Sequence, residues 1–252
     1  MSIKSGKDDA VRYELYYWPT IQGRGEFVRL ALEEAEADYI DVARLPARQG
    51  GGEAALMRFP GRQAIEHIPF APPFLKCGEL VVGQTANILQ FLGPRLGLVP
   101  RAAAGRIWAH QLQLTIADLV TEVHDTHHPI AASLYYEDQK PAARRRGADF
   151  LENRLPKFLD YFEQVLKQNG KGSRYLVGAR LSYVDLSIFQ VIEGLYYAFP
   201  KAMARLAPGH ECLMDLHGRV AARPRIAAYL SSKRRLPFSE EGIFRHYPEL
   251  DR

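Results

Sequence analysis

Apolar positions along the first ninety or so residues recur with two periods, and each change of period marks an element. The run Tyr13-Glu14-Leu15-Tyr16-Tyr17-Trp18 is aromatic and β-favouring, and Pro19 ends it, which predicts a first strand. Gly23 and Gly25 then release the chain into residues 26–36, where Phe27, Leu30, Ala31 and Ala35 share one helical face. Strand character resumes over 39–43. Residues 45–66 contain Gly50-Gly51-Gly52 and several arginines, and read as a mobile loop with at most a short helix. Phe74-Leu75-Lys76, a Cys77-Gly78 turn and residues 79–82 make a predicted hairpin, followed by an amphipathic helix at 84–92. Pro94, Gly97 and Pro100 punctuate a linker at 94–101, beyond which almost everything has helical period. Ile107, Leu112, Leu114, Leu119 and Val123 fall on one long helix, and Phe150, Leu151, Leu155, Phe158, Phe162 and Leu166 on a later one. Ser182 and Asp185 have the spacing of a capping box, with Leu181 and Leu186 placed as its hydrophobic staple.

The order β-α-β-loop-β-β-α, with a proline before the third strand, is the thioredoxin-like arrangement. The fold class expected is therefore α/β plus all-α: a thioredoxin-like domain at 13–93 and a helical domain at 102–252, preceded by a disordered extension at 1–12. A length of 252 residues suits two such domains. At 47% hydrophobic and 25% charged, the composition is that of a globular protein. No stretch approaches the ~20 apolar residues of a membrane span, and the polar start lacks a signal-peptide core, so a cytoplasmic location without membrane association is expected. Cys77 and Cys212 are far apart and lack metal or redox spacing, so both are expected as free thiols. The net charge of +4 and the clusters Arg144-Arg145-Arg146 and Lys233-Arg234-Arg235 would favour anions. Both clusters are short, lie on predicted helices and accompany no nucleic-acid module, so nucleic acid is not expected as a partner.

The chemistry is concentrated around Pro73 and the pair Gln84-Thr85. X-Pro bonds are the ones that adopt the cis form at modest cost, so Pro73 at a strand entrance can turn the backbone of Pro72 outward. Gln84 and Thr85 stand where a helix begins, and its free N–H groups and dipole favour an anion such as a carboxylate. Proline, hairpin, polar pair and helix together frame a site that grips a small peptide by its backbone and its carboxylate. Taken singly, Thr85 also fits an ordinary N-cap and Pro73 an ordinary loop proline. Tyr17 lies nearest the C-terminal end of its strand, where ligands bind in open α/β sheets, with Tyr16 as the alternative. The run His124-Asp125-Thr126-His127-His128 resembles a metal cluster, but Pro129 ends the helix there and histidines suit a helix C-terminus, so no metal is expected. Tyr135, Tyr136, Tyr196, Tyr197 and Phe199 either line an apolar pocket or fill the helical core.

Nearly the whole chain resembles the cytosolic glutathione S-transferase family. The resemblance runs through Tyr13-x-x-x-Tyr17-Trp18-Pro19, Gly23-Arg24, Pro72-Pro73-Phe74, Gly78-Glu79-Leu80, Gln84-Thr85-x-x-Ile88-Leu89-x-x-Leu92-Gly93, the Ser182-x-x-Asp185 box and Arg223-Pro224. Its aromatic start is similar to the tyrosine-using classes (alpha, mu, pi and sigma). The resemblance implies an enzyme that conjugates glutathione, a co-substrate needing no further cofactor, to small hydrophobic electrophiles in a pocket supplied by the helical domain. It also allows a non-catalytic binding or structural member, or a glutathione-dependent peroxidase or isomerase. Tyr17 matches the catalytic tyrosine, Gln84 and Thr85 the pair that holds the γ-glutamyl group, and Pro72 the residue before the cis-proline Pro73. Arg24 resembles a basic residue near the thiol site, although the spacing from Tyr17 to Gly23 is one residue longer than usual. The usual Trp and Lys for the glycyl carboxylate are absent, leaving Arg44, Arg48 or Arg58. Near Leu114, where the family often has an acidic residue reaching the partner subunit, stand Gln111, Gln113 and Asp118. Members are mostly homodimers, and a homodimer is expected here.

Overall fold

The computed structural model describes residues 12–59 and 66–251. The extension expected at 1–12 therefore lies, apart from Arg12, outside the described residues. Four strands form one sheet in the order β2-β1-β3-β4: β1 (Tyr13–Tyr16), β2 (Tyr39–Asp41), β3 (Phe74–Cys77) and β4 (Leu80–Gly83). β1 and β2 are parallel, which requires the crossover helix α1 (Gly25–Glu34); β1–β3 and β3–β4 are antiparallel. Leu15, Val28, Leu32, Leu75, Val82, Ile88 and Leu92 close one side of this sheet against α1 and α3 (Thr85–Arg95). Tyr16, Val42, Leu56, Phe59 and Phe74 close the other. The loop at 45–66 holds a 3-10 turn at Ala47–Gln49 and the short α2 (Glu53–Arg58). α3 runs through Gly93 and Pro94 to Arg95 rather than stopping at Leu92, because a proline late in a helix removes one N–H and leaves the last turn otherwise intact.

The helical half is built around α7 (Tyr183–Ala198), whose residues are almost all buried. Around it pack α4 (Ala103–Asp125), α5 (Tyr136–Asp149), α6 (Leu155–Gln168), α8 (Pro200–Leu206), α9 (Glu211–Ala221) and α10 (Pro224–Leu230), with a π-helical stretch at Phe150–Arg154 joining α5 to α6. On α4 the buried face is Ala109, Leu112, Gln113, Ile116, Leu119, Val120 and Val123, while Ile107 and Leu114 are exposed. Helical structure ends at Leu230; residues 231–251 wrap back over the bundle without a helix, apolar at Phe238, Ile243, Phe244 and Leu250. No described helix is long and apolar enough to cross a membrane, and Cys77 and Cys212 are both free.

The two halves share one core: Phe27, Leu30 and Ala31 of α1 belong to the same cluster as Leu186, Val191 and Leu195 of α7. A buried polar network crosses the same boundary. Arg29, fully buried on α1, pairs with Glu26 at 3.2 Å and Asp41 at 2.7 Å. Glu26 in turn accepts from Tyr229 at 2.6 Å and from Arg235 at 2.6 Å. Burial alone would pull the Arg29 pKa down, and Asp41 and Glu26 more than reverse it, so the guanidinium remains charged. Farther along α1, Arg234 pairs with Glu33 at 2.7 Å, and Arg223 pairs with Glu34. Arg146 likewise pairs with Glu122 at 3.2 Å and Asp149 at 3.0 Å. Arg234, Arg235 and Arg146, which read as parts of basic runs in the sequence, are thus bound to carboxylates within the fold.

The capping box at the start of α7 is formed, and Asp185 also accepts from the Leu176 N–H at 2.7 Å. Full burial pushes the Asp185 carboxyl up to about 6, against 3.8 ordinarily, with the N–H donors pulling the other way. Asp185→Ala leaves the Leu176 and Ser182 donors without an acceptor and is expected to cost about 2–3 kcal/mol, read from the urea midpoint. Because the folded pKa lies above the unfolded one, the folded state binds the extra proton between about pH 4 and pH 6. The stability of the wild type relative to Asp185→Asn is therefore expected to fall as pH rises through that window and to level off above it. A difference independent of pH between 4 and 7 would contradict this.

Candidate functional site

The register of the sheet brings the separate motifs to one place. Tyr16 pairs with Phe74, and Phe74 pairs with Gly83, so the next residues outward, Tyr17, Pro73 and Gln84, emerge side by side at one end of the sheet. The Pro72–Pro73 bond is cis, as the sequence predicts. Gln84, not Thr85, occupies the N-cap of α3; its φ of 67° is left-handed, and no side chain caps the first turn. The N–H groups at the start of α3 therefore have no side-chain acceptor, the condition under which a helix start favours an anion. Gln84 is exposed, and the Thr85 hydroxyl donates a long 3.4 Å bond to the Arg24 carbonyl.

Tyr17 follows directly on β1 and is 5% exposed. Its phenol oxygen accepts the Arg24 backbone N–H at 2.8 Å. Burial raises the phenol pKa, opposed by that N–H bond and by the Arg24 and Arg29 charges. The group therefore stays protonated at neutral pH, and with its oxygen already bonded, its own proton is left to donate. Two glycines make room for the ring. A Cβ on Gly23 would lie 2.1 Å from the phenol oxygen, and one on Gly25 2.4 Å from the ring. Tyr16 has a different setting: its ring stacks on Phe74 at 4.6 Å, and its hydroxyl donates to Glu14 at 2.8 Å. Tyr16, the last residue of β1, thus packs in the core, whereas Tyr17 directly after it turns to the other side.

Arg24 links this loop to the helical half: with Phe27, Thr85, Gln113, Ile116 and Val120 it lines a cavity of about 30 Å³. Tyr17, Arg24, Pro72, Pro73, Gln84 and Thr85 are thus gathered at one end of the sheet. Arg48 is exposed on the 47–49 turn, outside this group. Of the other arginines in that loop, Arg58 bonds the carbonyl of Ala54 in its own helix. Arg44 donates to the Arg234 and Lys233 carbonyls at 2.6 and 3.3 Å, which draws the C-terminal segment to the loop.

That segment was not legible as part of the site. Gln22 donates to the Leu236 carbonyl and accepts from Gln190 at 2.7 Å, and Pro237, Phe238, Ile243 and Phe244 meet Gln22 and Gly23 around a small cavity. The absence of helical period after Leu230 was the available signal. His127 bonds the Ile243 carbonyl at 2.8 Å, and its ring packs against those of His124 and His128 at 5.1 and 4.7 Å. Burial depresses His127 to about 3 and His128 to about 4, so both are neutral. Among the described residues, no group of histidines, cysteines and carboxylates is arranged to hold a metal. Of the five candidate pocket aromatics, Phe199 is core, Tyr136 stacks on Tyr247 at 3.7 Å, Tyr197 stacks on Phe238 at 5.1 Å, and Tyr135 and Tyr196 are exposed.

The site thus consists of a small mixed sheet with a cis-proline and a buried tyrosine at one end, joined to a helical bundle. The family model "Glutathione S-transferase, C-terminal domain" matches residues 124–233. Glutathione S-transferase P 1 of Xenopus laevis is 26% identical over 225 residues, covering 88% of this chain and 93% of that protein. Glutathione S-transferase of Plasmodium falciparum is 23% identical over 226 residues, covering 87% and 95%. Among solved structures, a pi-class glutathione S-transferase of Onchocerca volvulus superposes with a TM-score of 0.69 at 20% identity, covering 91% of this chain and 98% of that one. Prostaglandin synthase D of Nilaparvata lugens gives 0.66 at 19% identity, covering 90% and 100%. The chain is thus similar to glutathione S-transferases over most of its length and shares their fold.

Gly23→Ala is expected to lower stability by about 1–3 kcal/mol, because the methyl meets the phenol oxygen and the φ of +43° disfavours a side chain. Gly218→Ala, in an open helical position, is expected to gain up to about 1 kcal/mol. Thermal unfolding of the pair checks this; equal effects would mean that Gly23 is not a cradle for Tyr17.

Proposed function

We propose that this protein is a glutathione transferase that activates the glutathione thiol and transfers it to small hydrophobic electrophiles. The observation that carries the reading is the Tyr17 phenol: buried, held protonated, and with its oxygen already bonded by the Arg24 N–H. Its proton is free to bond the sulfur of the bound peptide and stabilise the thiolate. A thiol near pKa 8.5 is only a few per cent ionised at neutral pH. A depression of ~2 units, about 2.7 kcal/mol, makes most of it nucleophilic. The thiol proton leaves to solvent, the sulfur attacks the electrophilic carbon, and the displaced electron pair departs with the leaving group or moves onto a conjugated acceptor.

The remaining roles follow from position. The Pro72 backbone pairs with the cysteinyl unit, and Gln84, Thr85 and the start of α3 hold the γ-glutamyl carboxylate. Arg24 stands between the thiol and γ-glutamyl ends; with Arg44 and Arg58 bonded to carbonyls within the fold, the exposed Arg48 on the neighbouring loop is assigned the glycyl carboxylate by exclusion rather than by position. Phe238, Ile243 and Phe244 form an apolar wall beside Gly23 for the electrophile. We place the protein in the cytoplasm as a homodimer, in which the exposed apolar residues of α4 and the half-buried Phe91 meet the partner.

Tyr17→Phe is expected to lower kcat by about 10-fold to 100-fold with little change in glutathione affinity, since it removes one bond made to the developing thiolate. The rising limb of the pH–rate profile is expected to move up by about 2 units. Tyr16→Phe is expected to do neither; the opposite pattern would move the role to Tyr16. Sedimentation is expected to report about 57 kDa, twice the 28.5 kDa chain. A fully active monomer at micromolar concentration would remove the dimer.

A further inference from the structure

At the other end of α1 from the Gly23-Arg24 turn, about 14 Å along the helix, a cavity of about 380 Å³ opens where the two halves meet. It lies between Glu34 on α1, the linker at 96–98, the loop at 179–181 before α7, and Arg223 and Arg225 at the start of α10. Arg223 makes both of its bonds to Glu34 Oε1, while Arg225 pairs with Glu36 and bonds the Glu34 carbonyl at 2.9 Å. The seam between the halves explains those contacts. Two other features need a different reason. Arg180 is exposed at the edge of the cavity and makes no ion pair among the described residues. Glu34 is 4% exposed, yet its Oε2 has no partner. The charged groups lining the cavity, three arginines and one glutamate, leave a net +2. Leu96, Leu98, Leu181 and the half-buried Tyr175 supply an apolar flank.

Guanidinium donors suit a phosphate, an unpaired carboxylate oxygen suits a hydroxyl donor, and an aromatic flank suits a planar ring. A nucleoside monophosphate carries all three on one frame, and its phosphate, at about −1.5 to −2, matches the charge of the cavity. A fatty-acid carboxylate or a bare phosphate would leave Glu34 Oε2 unpaired, whereas a carboxylate holding a ribose hydroxyl is a recurring device of nucleotide recognition. We propose that this cavity is a nucleotide site: Arg180 and Arg225 hold the phosphate, Glu34 Oε2 accepts from a ribose hydroxyl, and the base lies against Tyr175. The site is separate from the group around Tyr17 and shares no residue with it. A nucleotide seated here bridges α1, the linker and α10, so its binding stabilises the two halves together.

Calorimetric titration of the full chain with adenosine monophosphate tests this, beside adenosine, inorganic phosphate and 2′,3′-dideoxyadenosine monophosphate. The nucleotide is expected to bind saturably and each of the other three about 10-fold to 100-fold more weakly, the range for losing a bond to a charged group. Arg180→Ala removes an exposed side chain that pairs with nothing in the described fold. It is expected to weaken the nucleotide about 10-fold while leaving Tm and the affinity for adenosine unchanged. Tyr175→Leu is expected to narrow the gap between the nucleotide and inorganic phosphate. Arg145→Ala, at an exposed arginine of α5, is expected to change nothing, and saturating glutathione is expected not to displace the nucleotide. Four results overturn the proposal: a wild type without saturable binding at millimolar nucleotide, inorganic phosphate bound as tightly as the nucleotide, an Arg145→Ala loss equal to that of Arg180→Ala, or displacement by glutathione. None of them bears on the role given to Tyr17.

Discussion

Arg29 is the charge around which the two halves of this protein are assembled. A guanidinium with no access to water is tolerable only when carboxylates and hydrogen bonds replace its hydration. Here Asp41 comes from β2 and Glu26 from one turn earlier on α1. Glu26 then needs its own donors, and these come from the far end of the chain, Tyr229 and Arg235, with Gln190 of α7 bonding Arg235 at 2.8 Å. Satisfying one buried cation thus fixes α1 against β2, α7 and α10 together. Removing a single partner would leave a charge buried and unpaired, which is why such networks are costly to break even when they add little stability as a whole.

The position of Tyr17 depends on that arrangement. Its ring lies 5.7 Å from the Arg29 guanidinium, and the turn at Gly23-Arg24-Gly25 that folds around it leads directly into α1. The Arg24 N–H that bonds the phenol can point there because α1 starts where it does. The same turn carries Gln22, which ties it to α7 through Gln190 and to the C-terminal segment through the Leu236 carbonyl. The Tyr17 phenol is therefore held by backbone geometry on one side and by the helical half on the other, so its position is fixed before anything binds beside it.

The charge distribution follows the same logic. An excess of positive charge would ordinarily suggest an anionic macromolecular partner. Arg223, Arg225, Arg234 and Arg235 instead converge on Glu34, Glu36, Glu33 and Glu26 of the α1 region. Their clustering in the sequence reflects a single inter-domain seam, in which a row of arginines on the last helix and tail meets a row of glutamates.

The sequence by itself determined what depends on neighbours a few residues away. Strand alternation, the 3.6-residue helical period and the Ser182–Asp185 capping box are local, and each appears in the fold with boundaries shifted by a residue or a few. The frame of the site was also legible, because Pro73, Gln84 and the strand end at Tyr17 flank short elements whose pairing brings them together. Only the tertiary structure decided the rest. Glu26 and Tyr229 are 203 residues apart and Gln22 and Gln190 are 168 apart, and no periodicity links such pairs. Gln113 lay among several polar residues of α4 and differs from Gln111 and Asp118 only in which side of the helix the bundle covers. The tail from Ser231 onward forms no helix; beside local turns it is held by bonds to distant elements, the Ile243 carbonyl to His127 and the His246 ring to the Ala198 carbonyl. Local periodicity specifies an element when the element satisfies its own backbone; a segment satisfied by distant partners leaves no such pattern.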